Sequence, residues 1–266
     1  MTRRLAIITF VIGFVACASQ ASAADAPRIR VLTYNIHHGE GTDGKFDLER
    51  IAKVILSVKP DIVALQEVDQ KTGRASGVDQ AAELGRLTGM HQVFGKAMDF
   101  SGGGYGEAIL SRWKFENTKN HLLPASPGFE PRSAIAATVR INDTGPRFTF
   151  VGTHLDHTRD PKERIAQVKE IIRVFEPNDE PVILAGDLNA TPGKDEIKLL
   201  LEKWTSAAGD NGQPTYPSDK PSVQIDYVMF RPAKRWKVIE VKVIEEKIAS
   251  DHRPLLVVLE YVEDAK

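Results

Sequence analysis

Nine short runs rich in β-branched and aliphatic residues recur along the chain, at residues 30–36, 61–66, 108–111, 134–141, 148–153, 182–185, 225–230, 237–244 and 255–261. Bounded by turn-forming residues, each reads as a strand. Few helical stretches interrupt them. Asp47 caps a stretch that places Leu48, Ile51, Ile55 and Val58 on one face, which is helical spacing. A second begins Asp160-Pro161-Lys162-Glu163, with Asp at the cap and Pro at the first helical position, and turns Ile165, Val168 and Ile172 inward. A third spans residues 195–204. Many strands with few helices predict an α/β (α+β) chain in which sheets pack face to face and helices lie outside.

With 42% hydrophobic and 27% charged residues in 266, the chain is neither disordered nor collagen-like. No repeat, low-complexity tract or linker-like shift marks a boundary, so residues 24–266 read as one domain. The only cysteine is Cys17, so folding rests on packing, and thiolate metal clusters are excluded from the rest of the chain. Ahead of the domain, Arg3 and Arg4 precede an apolar run over residues 5–16 and then Ala21-Ser22-Ala23. This pattern is expected of a secretory signal peptide over residues 1–23, cleaved after Ala23. The run is short of the roughly 20 residues of a membrane span. Lipoprotein processing at Cys17 is the weaker alternative, since Phe14 stands where such signals usually carry Leu. The expected location is therefore secreted or periplasmic. Losing Arg3 and Arg4 from the 35 Lys and Arg leaves 33 against 36 Asp and Glu, a balance that disfavours long nonspecific duplex binding. Short or small phosphodiesters remain open as substrates. Nothing marks a protein partner, and a monomer is expected.

Polar residues collect where the strands end. Asn35, Glu67 and His154 close three of the runs, Asp187 and Asn189 follow a fourth, and Asp251 and His252 precede the last. Taken singly, Asn35 is a turn residue, Glu67 a solvated carboxylate and Asp187 a helix cap. Taken together, they supply hard oxygen ligands, carboxylates and two histidines without a thiol, which suits Mg²⁺-assisted phosphate chemistry better than zinc chemistry.

The segments Thr33-Tyr34-Asn35-Ile36, Leu65-Gln66-Glu67-Val68, Gly152-Thr153-His154-Leu155, Gly186-Asp187-Leu188-Asn189, Ile225-Asp226-Tyr227 and Ser250-Asp251-His252 occur in that order. The chain thereby resembles the endonuclease/exonuclease/phosphatase superfamily over roughly residues 29–261. The resemblance implies a four-layered sandwich of two mixed, mainly antiparallel β-sheets with helices on the outer faces. It also implies that Glu67 and Asn35 hold a divalent metal, Mg²⁺ with Mn²⁺ as a substitute, and that Asp251 is close enough to help. His252 would be the general base or a phosphate contact, with Asp226 holding its imidazole. Asp187 would orient or deprotonate water, Asn189 would donate to a phosphate oxygen, and His154 would bind phosphate or protonate the leaving oxygen. Whether Asp187 or His252 takes the proton stays open, as does the number of metals.

Glu107 stands where relatives of the phospholipase type frequently carry Asn. It reads either as a partner of His154, as in the deoxyribonuclease-like branch, or as an exposed strand residue. Arg132 either clamps a substrate phosphate through its planar fork or solvates a loop. His37, His38 and His157 either line the same mouth or are ordinary surface histidines. Gly39 to Phe46 reads G-x-x-x-x-G-K-F, but Phe46 replaces the Ser or Thr of a P-loop, so these glycines, like Gly102-Gly103-Gly104, read as flexible turns. The expected activity is a Mg²⁺-dependent phosphoesterase, a phosphodiesterase in the first instance, acting by in-line attack of water. A nuclease acting on DNA or RNA and a lipid phosphodiesterase are the alternatives, with a catalytically degenerate binding protein behind them.

Overall fold

Alternation along the first strand sets the layering. In β1 (Arg28–Asn35), Ile29 and Val31 turn toward one apolar cluster, and Leu32 and Tyr34 turn toward another. A strand buried on both faces must be covered twice, and the rest of the chain supplies both covers. The computed structural model describes residues 26–177, 180–209 and 212–263. In chain order, α1 (Leu48–Ser57), β2 (Ile62–Gln70), α2 (Gln80–Thr88), β3 (His91–Phe100), β4 (Gly103–Ser111) and β5 (Asn117–Leu122) follow β1. Next come β6 (Ser133–Arg140), β7 (Arg147–His154), α3 (Lys162–Phe175), β8 (Val182–Asp187) and α4 (Asp195–Leu201). The short β9 (Thr205–Ser206), β10 (Asp226–Arg231), β11 (Trp236–Val243) and β12 (Leu255–Tyr261) complete the order.

The strands form two six-stranded sheets, ordered β11-β12-β1-β2-β4-β3 and β5-β6-β7-β8-β10-β9. β1 pairs with β2 and β7 with β8 in parallel, and all other pairs are antiparallel. The inner faces share one core, with Ile29, Val31, Ile62 and Val257 from the first sheet against Ala137, Phe150, Ile183 and Val228 from the second. Outside, α1 and α2 bring Ile51, Ile55 and Leu84 onto Leu32, Tyr34 and Val63. On the opposite side α3 and α4 bring Val168, Ile171, Ile197 and Leu200 onto Val151, Leu184 and Met229. The result is the expected four-layered sandwich. Each fully buried large aliphatic side chain contributes roughly 1.5–3 kcal/mol to it.

All nine expected strands form, and β3, β5 and β9 are added. β5 and β9 are sheet edges, as is β3, and their sequences are partly polar because solvent covers what a neighbouring strand would. α2 was also missed, although Asp79 caps it through the Ala82 amide and Gly89 ends it in the left-handed conformation. Asp47 caps α1 as expected, accepting from the Arg50 amide at 2.8 Å. Asp160 does accept from the Lys162 amide, but Pro161 precedes the helix instead of starting it. The inward face of α3 is also rotated from the expected one: Arg164, Gln167, Val168 and Ile171 are buried, while Ile165 and Ile172 are half-buried. The polar pair is buried because Arg164 bonds Glu196 and the Asp156 carbonyl, and Gln167 accepts from the Asp156 amide. α4 stops at Leu201, and the chain up to Trp204 continues as turns.

The expected signal peptide and Cys17 lie outside the described residues. Among the described residues no helix is long and apolar enough to cross a membrane. The glycine-rich stretch after β1 folds onto its neighbour, the Thr42 amide bonding the Ile248 carbonyl. Ser101 and Gly102 turn the β3–β4 hairpin at φ 46° and 79°, and Gly103 and Gly104 are paired strand residues, not a flexible turn.

Candidate active site

Two parallel pairs end at one edge of the sandwich, and that edge carries the chemistry. Across the second sheet His154, Asp187 and Asp226 stand in one register row, on β7, β8 and β10. Gly186 makes the row possible: a Cβ there would collide with the Thr153 carbonyl opposite it, so only glycine lets β8 approach β7 this closely. From the first sheet, Asn35 Nδ2 at the end of β1 donates to Asp187 Oδ2 at 3.2 Å and to Glu67 Oε1 at 3.0 Å. One amide thus ties the two sheets together.

Glu67 does not end its strand. β2 runs on to Gln70, but its register skips between Leu65 and Val68, and Glu67 itself sits at φ 59°. Such a bulge, with a left-handed backbone at a non-glycine residue, re-aims a side chain at a cost in strain. Here it turns the carboxylate into the cavity, 3.8 Å from His38 Nδ1. Burial raises the Glu67 carboxyl, but the neighbouring His38 and His154 and the hydrogen bond from Asn35 outweigh it and hold the group well below the usual range.

Asp187 Oδ2 is the meeting point of the site. Besides Asn35, it lies 3.4 Å from His154 Nε2 and 3.6 Å from His252 Nε2, while Oδ1 accepts from the Asn189 amide at 2.9 Å. Burial and the neighbouring Asp226 raise its pKa. His252 precedes β12 in a turn pinned to β1 by the Ser250 hydroxyl, which donates to the Asn35 carbonyl at 2.7 Å. His252 Nδ1 donates to Asp226 Oδ2 at 2.9 Å. Burial works against the imidazolium, yet Asp226 and Asp187 raise the His252 pKa.

Two expectations are corrected. Glu107 is neither exposed nor a partner of His154: it is fully buried and hydrogen-bonds Ser133 Oγ at 2.5 Å. Arg132 does not solvate a loop. It is buried, and its Nη1 donates to His154 Nδ1 at 2.9 Å. An arginine therefore occupies the place the sequence suggested for a carboxylate. Because a guanidinium only donates, His154 Nδ1 accepts and the neutral ring carries its proton on Nε2. That atom faces the Asp187 Oδ2 acceptor at 3.4 Å, while Asn189 Nδ2, 2.9 Å away and donating to the Leu155 carbonyl at 3.0 Å, stands beside it as a second donor and not as its partner. Burial and then the Arg132 charge push the His154 pKa well below its ordinary value.

Glu67, Arg132, His154, Asp187, Asn189 and His252 line a cavity of about 520 Å³. Asp251 lines it, as do His37, His38 and His157, which the sequence left as surface histidines or mouth residues. Sequence reasoning missed Thr215, whose hydroxyl donates to Asp226 at 2.5 Å, and Tyr216, whose ring lies tilted at 47° with its centroid 4.9 Å from that of His252. Both lie between β9 and β10, where no periodicity singles out a residue. It also missed the far wall, where Arg74 is held in a fork by buried Asp69 at 2.6 and 2.9 Å and lies 4.6 Å over the Phe100 ring.

Among the described residues two sets of ligating side chains have atoms within 4.8 Å of one another, His37 with His38 and Glu67, and Asp187 with Asp226 and His252. Asp251 belongs to neither set. A bulge-presented, ionised Glu67 beside Asn35, with Asp251 on the same cavity and no thiol, fits a hard divalent cation with oxygen ligands.

The chain is similar to known proteins over most of its length. It is 25% identical over 240 residues to the uncharacterized protein YbhP of Escherichia coli, covering 85% of this chain and 94% of that one. It is 26% identical over 169 residues to a phospholipase C of Staphylococcus aureus, covering 53% and 51%. The crystal structure of an endonuclease/exonuclease/phosphatase from Beutenbergia cavernae matches with a TM-score of 0.76 and 26% identity, covering 88% of this chain and 72% of that one. The family model described as "Endonuclease/Exonuclease/phosphatase family" matches residues 32–252, and with the fold and the cluster around Asp187 this places the chain in that family of phosphoester hydrolases.

Proposed function

We propose that the chain is a Mg²⁺-dependent phosphodiesterase, exported after removal of residues 1–23, that hydrolyses a phosphate diester by in-line attack of water. The observation that carries this reading is the convergence of Asn35 Nδ2, His154 Nε2 and His252 Nε2 within 3.2–3.6 Å of one oxygen of Asp187. A water bound against Asp187 Oδ2 is within reach of His252 Nε2, and the pair takes its proton as the water attacks. Asp226 and Thr215 hold the His252 ring for this role. His154 Nε2–H and the Asn189 amide donate to phosphoryl oxygens as charge builds in the transition state. Glu67 and Asn35, helped by Asp251, would hold Mg²⁺, which when bound neutralises charge on the phosphate. The similarity to a phospholipase C keeps a lipid phosphodiester among the substrates to be tried.

Hydrolysis of bis-p-nitrophenyl phosphate and p-nitrophenyl phosphate, with Mg²⁺ or EDTA and with a His252→Ala control, tests the reading. Diester cleavage that needs both the metal and His252 supports it. Preference for the monoester replaces it with a phosphatase, and cleavage indifferent to EDTA or to His252→Ala overturns it.

A further inference from the structure

Arg132 is buried to within 2% of its surface, yet it lies on the cavity and touches two histidines at once. Nη1 is 2.9 Å from His154 Nδ1 and Nη2 is 3.2 Å from His157 Nδ1. Glu130 Oε1, 3.2 Å from Nη1, holds the fork from a third side. A guanidinium carries donors only and stays protonated. Each Nδ1 facing it must therefore be the acceptor, and a neutral imidazole whose Nδ1 accepts bears its hydrogen on Nε2. One planar fork fixes the tautomer of two rings.

The contrast with His252 sharpens the point. There a carboxylate, Asp226, sits on Nδ1 at 2.9 Å, so that nitrogen is the donor. The buried histidines on either side of Asp187 thus differ at Nδ1: His252 donates there to a carboxylate, and His154 accepts there from a guanidinium. His157 follows His154 by three residues, is exposed, and lines the same cavity. It extends the donor set outward from the buried site toward the rim. Burial and the Arg132 charge, which both disfavour an imidazolium at His154, agree with a ring that stays neutral.

We propose that Arg132 is a positioning residue that holds His154 and His157 as paired Nε2–H donors, which with Asn189 form a receptor for the oxygens of a tetrahedral oxyanion, the phosphoryl group of the substrate. The nature of the ligand rests on the phosphoester reading above, whereas the tautomers do not. His154 then binds and does not protonate, because a neutral Nε2–H is too weak an acid to give its proton to a leaving oxygen. His157 adds a contact at the rim that a buried site alone lacks.

Two-bond ¹H–¹⁵N correlation spectra of the ¹⁵N-histidine-labelled chain report each tautomer directly, and titration with inorganic phosphate reports the receptor. His154 and His157 should both show the Nε2–H pattern and His252 should not. Phosphate should shift the first two. His157→Gln, at an exposed ring, should weaken phosphate binding several-fold and leave the His154 tautomer unchanged. Arg132→Met should release both rings to mixed tautomers and weaken phosphate at least tenfold, with Arg132→Lys restoring one ring at most. If Arg132→Met does not fold, the wild-type spectra and His157→Gln decide the matter. An Nδ1–H pattern at His154 or His157 overturns the role of Arg132 even if phosphate binds. Nε2–H patterns on a chain that phosphate does not touch overturn the receptor alone, since the phosphoester reading stands or falls on the hydrolysis assay.

Discussion

Asp226 Oδ2 stands 2.9 Å from His252 Nδ1 and also takes the Thr215 hydroxyl at 2.5 Å, so one oxygen fixes the ring that faces Asp187. A carboxylate in that position sets the orientation and basicity of the imidazole, and an amide of the same shape can present its NH₂ and reverse the tautomer. Asp226→Asn should lower kcat by roughly 10²–10⁴ with KM nearly unchanged, the range seen when a positioned acid–base group is lost. His252→Ala should do the same. Groups that act as one unit are not additive, so the double variant should be no worse than the poorer single one. Steady-state kinetics on the diester checks this, and losses that multiply would show that the two residues act separately.

Glu67 reaches the cavity only because β2 bulges, and its carboxylate is paired with Asn35 at 3.0 Å. Glu67→Gln keeps the shape and removes the charge. The Mg²⁺ concentration giving half-maximal activity should rise about tenfold or more. The upward shift in melting temperature that Mg²⁺ gives the unaltered chain should shrink at the same metal concentration, since a ligand that binds only the native state stabilises it by mass action. An unchanged Mg²⁺ dependence in both readouts removes Glu67 from the metal site.

The strand-end positions were legible because each ends or borders an apolar run that could only be a buried strand. Asn35, His154, Asp187 and Asp226 duly meet, three of them in one register row. What a side chain reaches across the fold was not legible. Arg132 could point at solvent, phosphate or protein with the same sequence around it, and only the fold brings His154, 22 residues on, under its fork. Glu107 reads as exposed or as a histidine partner because a strand position does not say which face the pleat buries. Nor could Arg164 and Gln167 be expected inside α3, since they are satisfied there by Glu196 and the Asp156 backbone, distant in the chain.

Gly186 carries no chemistry, yet it determines how closely Asp187 and His154 approach. Adding a methyl group at this position forces the new Cβ against the Thr153 carbonyl in a parallel pair that has no slack. Overpacking of this kind typically costs about 1–3 kcal/mol. Gly186→Ala should therefore lower the urea midpoint by a corresponding amount, and it should lower kcat beyond what the stability loss explains, because the register row of the site is displaced. Wild-type kcat with a reduced midpoint would mean the row tolerates the shift.

Burial lifts the Glu107 carboxyl to about 8, against the opposing hydrogen bond from Ser133 and the charge of Arg132. At neutral pH the folded chain therefore holds this proton, with the Ser133 hydroxyl donating to Glu107 Oε2. In the unfolded chain the same group ionises near 4.5. Between those two values the native state binds the extra proton, so linkage makes stability fall as pH rises, by up to ~1.4 kcal/mol per pH unit for one group. The contribution is fully present below pH 4.5 and is lost by the time pH has passed 8. Glu107→Gln keeps the buried shape and does not titrate. Urea unfolding of the two proteins from pH 5 to 8 should show the unaltered chain losing stability relative to the variant across the window. Parallel stability curves would mean that Glu107 is already ionised in the folded protein.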